Sequence, residues 1–280
     1  MAQLTYIVFL LTLSLTLLAW LFGRPLAVAW RRAKIRRVPF PDAWRSILKQ
    51  RMPAFRELPA DLQLQLKKHI QVLLAEKPFI GCAGLEITDE IRVSIAAQAC
   101  LLLLNRRAGY YRNLRQILVY PGAFLVHKTA ALEGGVVSER RDALAGESWQ
   151  AGQVVLSWQD TLNDAAQPGE GKNVVIHEFA HQLDQETGVA NGAPRLPYDI
   201  SGYKAREWAR VMGAEFLELQ HRAAAQEPSL LSHYGATNPA EFFAVASEVF
   251  FAQPYQMAEQ HPALYQQLSA YYCVNPLSWR

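Results

Sequence analysis

Cysteine is scarce in this chain of 280 residues. Only Cys82, Cys100 and Cys273 are present, and no two of them have the short spacing that a cysteine metal site requires. An odd, sparse set of thiols also argues against the disulfide framework that stabilises small secreted domains. The cysteines therefore indicate reduced thiols in a cytoplasmic compartment.

Acidic side chains are absent from the first 41 residues. That segment carries six basic side chains, which leaves 22 basic and 25 acidic residues for the rest of the chain. The body is therefore mildly acidic although the whole chain has a net charge of +3. Domains that bind nucleic acid concentrate positive charge, so the sequence argues against a nucleic-acid partner. The length allows one domain with a substantial core.

Charge of either sign is absent from residues 1–23. Within them, Leu4–Phe22 forms a mostly apolar run, and about 20 such residues can cross a bilayer as a helix. Tyr6 and Trp20 lie near its two ends, where an aromatic belt would place them. We therefore predict one transmembrane anchor over residues 1–23.

Basic residues follow the apolar run, from Arg24 to Arg37. A signal peptide has its positive charge before the apolar stretch, and a buried core helix is seldom so long and apolar, so an anchor is favoured over both. Positive flanks stay in the cytoplasm, which predicts a single-pass protein of the inner (cytoplasmic) membrane with its N terminus outside. Residues 24–41 would form a basic juxtamembrane linker, and residues 42–280 the main domain in the cytoplasm. The alternative is a soluble cytoplasmic protein.

An H-E-x-x-H pentapeptide lies near the middle of the chain, at His177–His181. On a helix, residues four apart share one face, so the imidazoles of His177 and His181 can reach the same ion. Imidazole nitrogen is a natural Zn²⁺ ligand. Glu178 can then act as general base toward a water whose pKa the metal lowers. The alternative is an accidental pattern on a surface helix.

A catalytic zinc needs a third protein ligand. Asp184 and Thr187 replace the glycine and histidine of the extended H-E-x-x-H-x-x-G-x-x-H motif, so this ligand must lie further on. Asn238–Glu248 reads as the start of a helix with an N-cap asparagine. Glu241 and Glu248 are seven residues apart and share a face of it. The residues alone leave both carboxylates open, and a third option is His233, just upstream.

Two segments resemble the Mlc titration factor A family, the bacterial M90-type zinc peptidases. They are Asn173–Asp184 (NVVIHEFAHQLD) and Tyr234–Phe251 (YGATNPAEFFAVASEVFF), and the resemblance extends from about Trp44 to the C terminus. It implies an α+β, zincin-like metallopeptidase domain, mostly helical with a small sheet. Together with the predicted anchor, the fold class is that domain preceded by one N-terminal transmembrane helix.

The family resemblance also implies a site. One Zn²⁺ ion would be held by His177, His181 and Glu241, and the phenol of Tyr234 would hydrogen-bond the oxyanion of a tetrahedral intermediate. The implied activity is peptide hydrolysis, with removal of amino-terminal residues as a candidate specificity. The expected partners are a peptide or protein substrate, the membrane and a regulatory protein.

Two other functions stay open at this stage. One is a regulatory protein-binding module of the same fold in which zinc is mainly structural, with His233 or Glu248 as a fourth ligand. The other is a metal-dependent hydrolase of a non-peptide amide. For a peptidase, Val154–Trp158 is the predicted edge strand on which an extended substrate would pair. Asn163–Lys172 is predicted to be a loop before the motif helix.

Overall fold

The structure is a computed structural model that describes residues 1–106, 109–122, 124–131, 137–144, 146–149, 152–196 and 202–279. The chain divides into two compact units, Met1–Phe40 and Pro41–Arg280. Each unit is described by itself below.

The first unit is formed by one helix, α1 (Ala2–Arg37), of 36 residues. The helix does not end at Gly23, where the sequence predicts the end of the apolar anchor. It continues through Arg24 and Pro25 into the basic segment. It ends where Val38 adopts an extended conformation directly before Pro39, as expected for a residue that precedes proline.

The predicted transmembrane anchor is wrong. Among the residues that the structure describes, no helix is both long enough and apolar enough to cross a membrane. The described part of the apolar run includes four hydroxyl residues, which lower its mean hydropathy: Thr5, Thr12, Ser14 and Thr16. Length and the lack of charge alone predict a membrane span, but these hydroxyl groups make the run less apolar than its length indicates. The predicted single-pass membrane location depends on that anchor and is therefore also wrong.

The second unit is mostly helical. Its helices are α2 (Asp42–Arg51), α3 (Ala60–Glu76), α4 (Asp89–Leu101), α5 (Trp158–Ala166), α6 (Val174–Asp184), α7 (Tyr203–Ala225), α8 (Pro239–Ala252), α9 (Pro254–Gln260) and α10 (Pro262–Tyr272). Its strands are β1 (Phe79–Gly81), β2 (Gln116–Tyr120), β3 (Phe124–Ala131), β4 (Val137–Leu144), β5 (Gly146–Trp149) and β6 (Gln153–Ser157).

The main sheet has four strands in the order β1-β2-β6-β5, and β3 and β4 form a separate antiparallel pair. β1, β2 and β6 run parallel, whereas β5 pairs antiparallel with β6. The predicted edge strand, Val154–Trp158, corresponds to β6 and is interior, because it pairs with β2 on one side and β5 on the other. That prediction is wrong, and the outer position next to β6 belongs to β5.

The helices α4, α6 and α8 form much of the core, and most of their side chains are buried. An aromatic cluster joins α8 to α7 and α10: the ring centroid of Phe243 lies 5.9 Å from that of Trp208 and 5.6 Å from that of Tyr271. Burial of large aromatic surface is a strong source of stability. Because α6 and α8 are both packed into this core, the polar side chains they carry are held in fixed positions.

The segment before α6 is more ordered than the sequence predicts. Part of the expected loop Asn163–Lys172 belongs to α5, and Pro168–Glu170 forms a short 3-10 turn. Ser157 caps α5 by accepting a hydrogen bond from the backbone N–H of Asp160. The loop prediction rested on glycine, proline and aspartate content and overlooked this N-cap signal.

Candidate metal centre

The helix α6 begins with a side-chain cap and presents two different faces. The side chain of Asn173 accepts a hydrogen bond of 2.9 Å from the N–H of Ile176, which satisfies one of the free donors of the first turn. Val175 and Phe179 are fully buried on the core side. His177 and His181 lie four residues apart, so they share another face.

The helix α8 begins in the same way. The side chain of Asn238 accepts hydrogen bonds of 3.0 Å from the N–H groups of Ala240 and Glu241, and Pro239 occupies the first helical position. Proline suits that position because it needs no hydrogen-bond acceptor there. The cap therefore fixes the backbone of Glu241 directly, and the buried apolar residues that follow hold the helix against α6.

Three potential ligand atoms from the two helices converge. Nε2 of His177 lies 3.0 Å from Oε2 of Glu241 and 3.2 Å from Nε2 of His181, and the third side of the triangle, His181 Nε2 to Glu241 Oε2, is 3.3 Å. Within the described part of the chain, these are the three metal-binding side chains whose ligand atoms lie close enough together to share one ion. The predicted ligand set is therefore brought together at one point.

The size and chemistry of this triangle fit a metal ion. Tetrahedral zinc with bonds of roughly 2.0–2.1 Å places its ligand atoms about 3.3 Å apart, close to the three sides observed. Nδ1 of His177 lies 2.7 Å from Oε1 of Glu248, so a neutral imidazole that donates there turns the lone pair of its Nε2 into the triangle. In that tautomer the imidazole lone pair faces the carboxylate oxygen of Glu241, and a cation between the two atoms would satisfy both.

Glu248 contacts His177 on the side of the imidazole that faces away from the ligand triangle. One carboxylate oxygen contacts Nδ1 of His177, and the other accepts a hydrogen bond of 2.6 Å from the N–H of Asn173. Glu248 is buried, and it thus ties the imidazole to the start of α6. A carboxylate in this position fixes the ring orientation and raises the basicity of a metal-binding histidine.

The electrostatics of the triangle reflect these contacts. Burial disfavours the charged form of His177, but its hydrogen bonds to Glu241 and Glu248 prevail and raise the pKa of the imidazole well above its usual value. Burial likewise opposes ionisation of Glu241, whereas its hydrogen bonds to His177 and His181 hold its pKa well below the usual range. The site therefore favours an anionic carboxylate next to a positive charge, as a metal site does.

The two predicted catalytic side chains lie beside the triangle. Glu178 is buried at 3% exposure on α6, next to His177 in the chain. Tyr234 belongs to the 3-10 turn His233–Ala236, is 48% exposed, and has its ring centroid 5.9 Å from that of His177. An exposed phenol at that distance is accessible to a bound substrate.

The remaining candidates from the sequence have other partners. A ring nitrogen of His233 lies 2.9 Å from the carbonyl oxygen of Glu227. Asp184, which replaces the glycine of the extended motif, is fully buried and accepts a hydrogen bond of 2.7 Å from the N–H of Gly192, so it holds the chain after α6.

Two residues that hold the ends of α6 were missed by sequence reasoning. Asp164, on α5, accepts a hydrogen bond of 2.7 Å from the N–H of Val174, the first residue of α6. Gly192 contacts three helices: it donates to Asp184, accepts from Nε1 of Trp208 at 3.0 Å, and leaves no room for a Cβ beside the carbonyl oxygen of Pro239. The positive φ of Gly192 has no sequence signal beyond the glycine itself.

Comparison with known proteins identifies relatives over most of the chain. A family model described as glucose-regulated metallo-peptidase M90 matches residues 27–273. The chain is 40% identical over 268 residues to an uncharacterized protein of Synechocystis sp., covering 95% of this chain and 96% of the relative. It is also 32% identical over 233 residues to Mlc titration factor A of Klebsiella pneumoniae subsp. pneumoniae, covering 82% and 85% of the two chains.

A further relative named Mlc titration factor A, from Escherichia fergusonii, is 31% identical over 230 residues, which cover 81% of this chain and 84% of the relative. The family resemblance predicted from the two sequence segments is thus confirmed. The family match contains both α6 and α8, and therefore the whole triangle of ligand atoms.

Proposed function

The chain belongs to the M90 family of glucose-regulated metallopeptidases, and from that premise we propose that it is a zinc-dependent hydrolase of peptide bonds. His177, His181 and Glu241 would hold the ion. The observation that carries the proposal is the triangle of their ligand atoms, with sides of 3.0, 3.2 and 3.3 Å.

The number of ligands supports catalysis over a structural role. A structural zinc is closed by four protein ligands, whereas a catalytic zinc has three and keeps one position for water or substrate. In the part of the chain that the structure describes, no fourth histidine, cysteine or carboxylate joins the group. The two candidates for a closing ligand, His233 and Glu248, contact the Glu227 carbonyl and Nδ1 of His177 instead.

Each side chain has a role in this proposal. When bound, zinc would supply a Lewis acid that lowers the pKa of nearby water. Glu178 would accept a proton from the attacking water and return it to the amine that leaves when the C–N bond breaks. Tyr234 would donate a hydrogen bond to the carbonyl oxygen of the substrate as negative charge develops there. Glu248 would keep Nδ1 of His177 protonated, so that its Nε2 remains available to a metal ion.

The substitution Glu178→Gln tests the mechanism. The amide keeps the shape of the side chain but cannot accept the proton, so kcat should fall by a factor on the order of 10² or more while zinc stays bound. Purified full-length protein would be assayed for metal content and for turnover of a mixed peptide library. Glu259→Gln, an exposed change on α9, is the matched control. A fully active Glu178→Gln protein would rule out this mechanism.

The relatives support a second function more directly than they support an aminopeptidase specificity. Those named Mlc titration factor A carry a name that refers to Mlc, which favours a regulatory protein-binding role. We propose that the same fold binds a regulatory protein of the Mlc kind. Binding of purified Mlc and peptide turnover would be measured before and after removal of the metal with a chelator. Loss of turnover with unchanged binding separates the two functions, and no binding in either state excludes the second.

A further inference from the structure

A cleft of about 1300 Å³ borders α7 and is separate from the triangle of ligand atoms. None of the three ligand residues lines it, although Pro239 and Phe242, which flank Glu241 on α8, do. Pockets for small molecules usually have volumes of about 300–1,000 Å³, so this cleft has room for a segment of polypeptide.

Positive charge is concentrated in the cleft. Arg106, Arg112 and Arg195 line it, whereas Glu186 is the one carboxylate among its described lining residues. In the part of the chain that the structure describes, none of the three guanidinium groups forms an ion pair with a carboxylate. Residues 42–280 are mildly acidic, with 22 basic and 25 acidic side chains, so this local excess of arginine differs in sign from its surroundings.

Arg106 is the most enclosed of the three. Its guanidinium lies 4.4 Å from the ring centroid of Tyr271, in a cation–π contact. Its guanidinium also interacts with the hydroxyl of Tyr271 and with the carboxylate of Glu186. Because Glu186 is the one carboxylate among the described lining residues and there are three arginines, an anion that enters the cleft would balance the remaining positive charge. Arginine also suits carboxylate recognition because its planar donors match two oxygens.

The α7 wall allows close approach of a chain. Ala205, Ala209 and Gly213 are four residues apart and lie in one row along α7, and all three line the cleft. A row of small side chains lets a polypeptide backbone lie near the helix. Nearby apolar side chains, such as those of Met212 and Phe216, complete a surface that suits a peptide better than a nucleic-acid backbone.

We propose that this cleft binds an acidic segment of a partner protein. The segment presents several carboxylates to Arg106, Arg112 and Arg195, with its backbone along the row of small residues on α7. This proposal does not rest on the peptidase activity, because none of the residues involved belongs to the metal centre.

The test uses full-length protein and a fluorescein-labelled hexaglutamate peptide, with hexalysine and a short thymidine oligonucleotide as comparison probes. Fluorescence anisotropy should show saturable binding of hexaglutamate that weakens as salt is raised. The double substitution Arg112→Glu and Arg195→Glu should lower the affinity by about tenfold or more. Both positions are exposed, so folding should be unaffected, and thermal unfolding checks this.

A matched control reverses the same number of charges elsewhere. Arg45→Glu and Arg56→Glu change exposed arginines near α2, outside the cleft, and should leave hexaglutamate binding unchanged. Equal losses in the two double variants would overturn the proposal, because the binding would then follow net charge alone. So would the absence of saturable binding, or tighter binding of the oligonucleotide that depends on Arg112 and Arg195.

Discussion

The helices α6 and α8 face each other across the metal centre and are built alike, yet they contribute in different ways. Both begin at an asparagine N-cap, and both are largely buried. α6 supplies two ligand atoms from positions four residues apart. α8 carries two carboxylates seven residues apart, Glu241 and Glu248, and they contact opposite nitrogens of His177.

This difference separates what the spacing of residues along a helix predicts from what depends on the packing of two helices. On α6 the helical repeat alone brings both imidazoles to one face, so the spacing predicts the pair. On α8 the same repeat places Glu241 and Glu248 on one face and does not distinguish them. The packing of α8 against α6 places Glu241 in the ligand triangle, next to Nε2 of His177. It places Glu248 on the other side of the imidazole, next to Nδ1.

The largest loss of metal affinity is expected from Glu241→Gln. The amide has no charge and is a poor zinc ligand, so metal affinity should fall by more than the roughly 100-fold that marks the upper range for outer contacts. Competition with a chromophoric chelator would measure the dissociation constant. A smaller loss for Glu241→Gln than for Glu248→Gln would reverse the roles of the two carboxylates.

A smaller loss is expected from Glu248→Gln. The change weakens the contact with Nδ1 of His177 without removing a ligand, so affinity should fall about 10–100-fold. The same chelator assay applies, with Glu218→Gln on the exposed side of α7 as control. Unchanged affinity would mean that the ring of His177 is held by packing alone.

Gly192→Ala should disturb the start of α8. Gly192 has φ +75°, and an added Cβ would meet the carbonyl oxygen of Pro239. Backbone strain and overpacking together should lower the free energy of unfolding by about 3 kcal/mol. Gly84→Ala is the matched control, because Gly84 has a similar φ (+81°) but nothing lies within 4 Å of the added carbon.

For Gly84→Ala we expect only the backbone strain, which lowers the free energy of unfolding by about 1 kcal/mol. Urea unfolding of both variants measures the difference. Equal losses of unfolding free energy in the two variants would show that the close approach of Gly192 to Pro239 does not affect stability.

The last prediction concerns how the stability of the protein depends on pH through Asp164, which contacts the start of α6. Burial is the main reason that the pKa of Asp164 is raised to about 6, and the hydrogen bond from Val174 opposes it. The folded state therefore holds this proton more tightly than the unfolded state, whose pKa is about 4. Stability from this group is present below about pH 4 and is lost as the pH rises through 6.

Asp164→Asn should flatten that dependence, because the amide does not titrate and its oxygen can still accept from Val174. Urea unfolding at several pH values between 4 and 7 measures how the free energy of unfolding changes with pH, with the metal content held constant. A variant whose stability falls between pH 4 and 6 as much as that of the wild type would contradict the assignment.

The errors made from the sequence have physical causes. The apolar run before Arg24 satisfies the length of a membrane span, but its hydroxyl residues and its continuation to Arg37 were given no weight. Val154–Trp158 shows a strand pattern, but an interior and an edge strand look alike when the neighbouring strands are unknown. Its pairing with both β2 and β5 depends on residues that lie before it in the chain.

The local features of this protein follow from its amino-acid sequence: the pair of histidines on α6, the glutamate between them, and the asparagine cap of α8. Each depends on residues at most four positions apart, which the helical repeat relates directly. Tertiary packing determines which carboxylate lies with the histidines, which strand lies inside the sheet, and that three arginines line one cleft. These depend on how distant segments pack, and the spacing of residues along one helix carries no information about that.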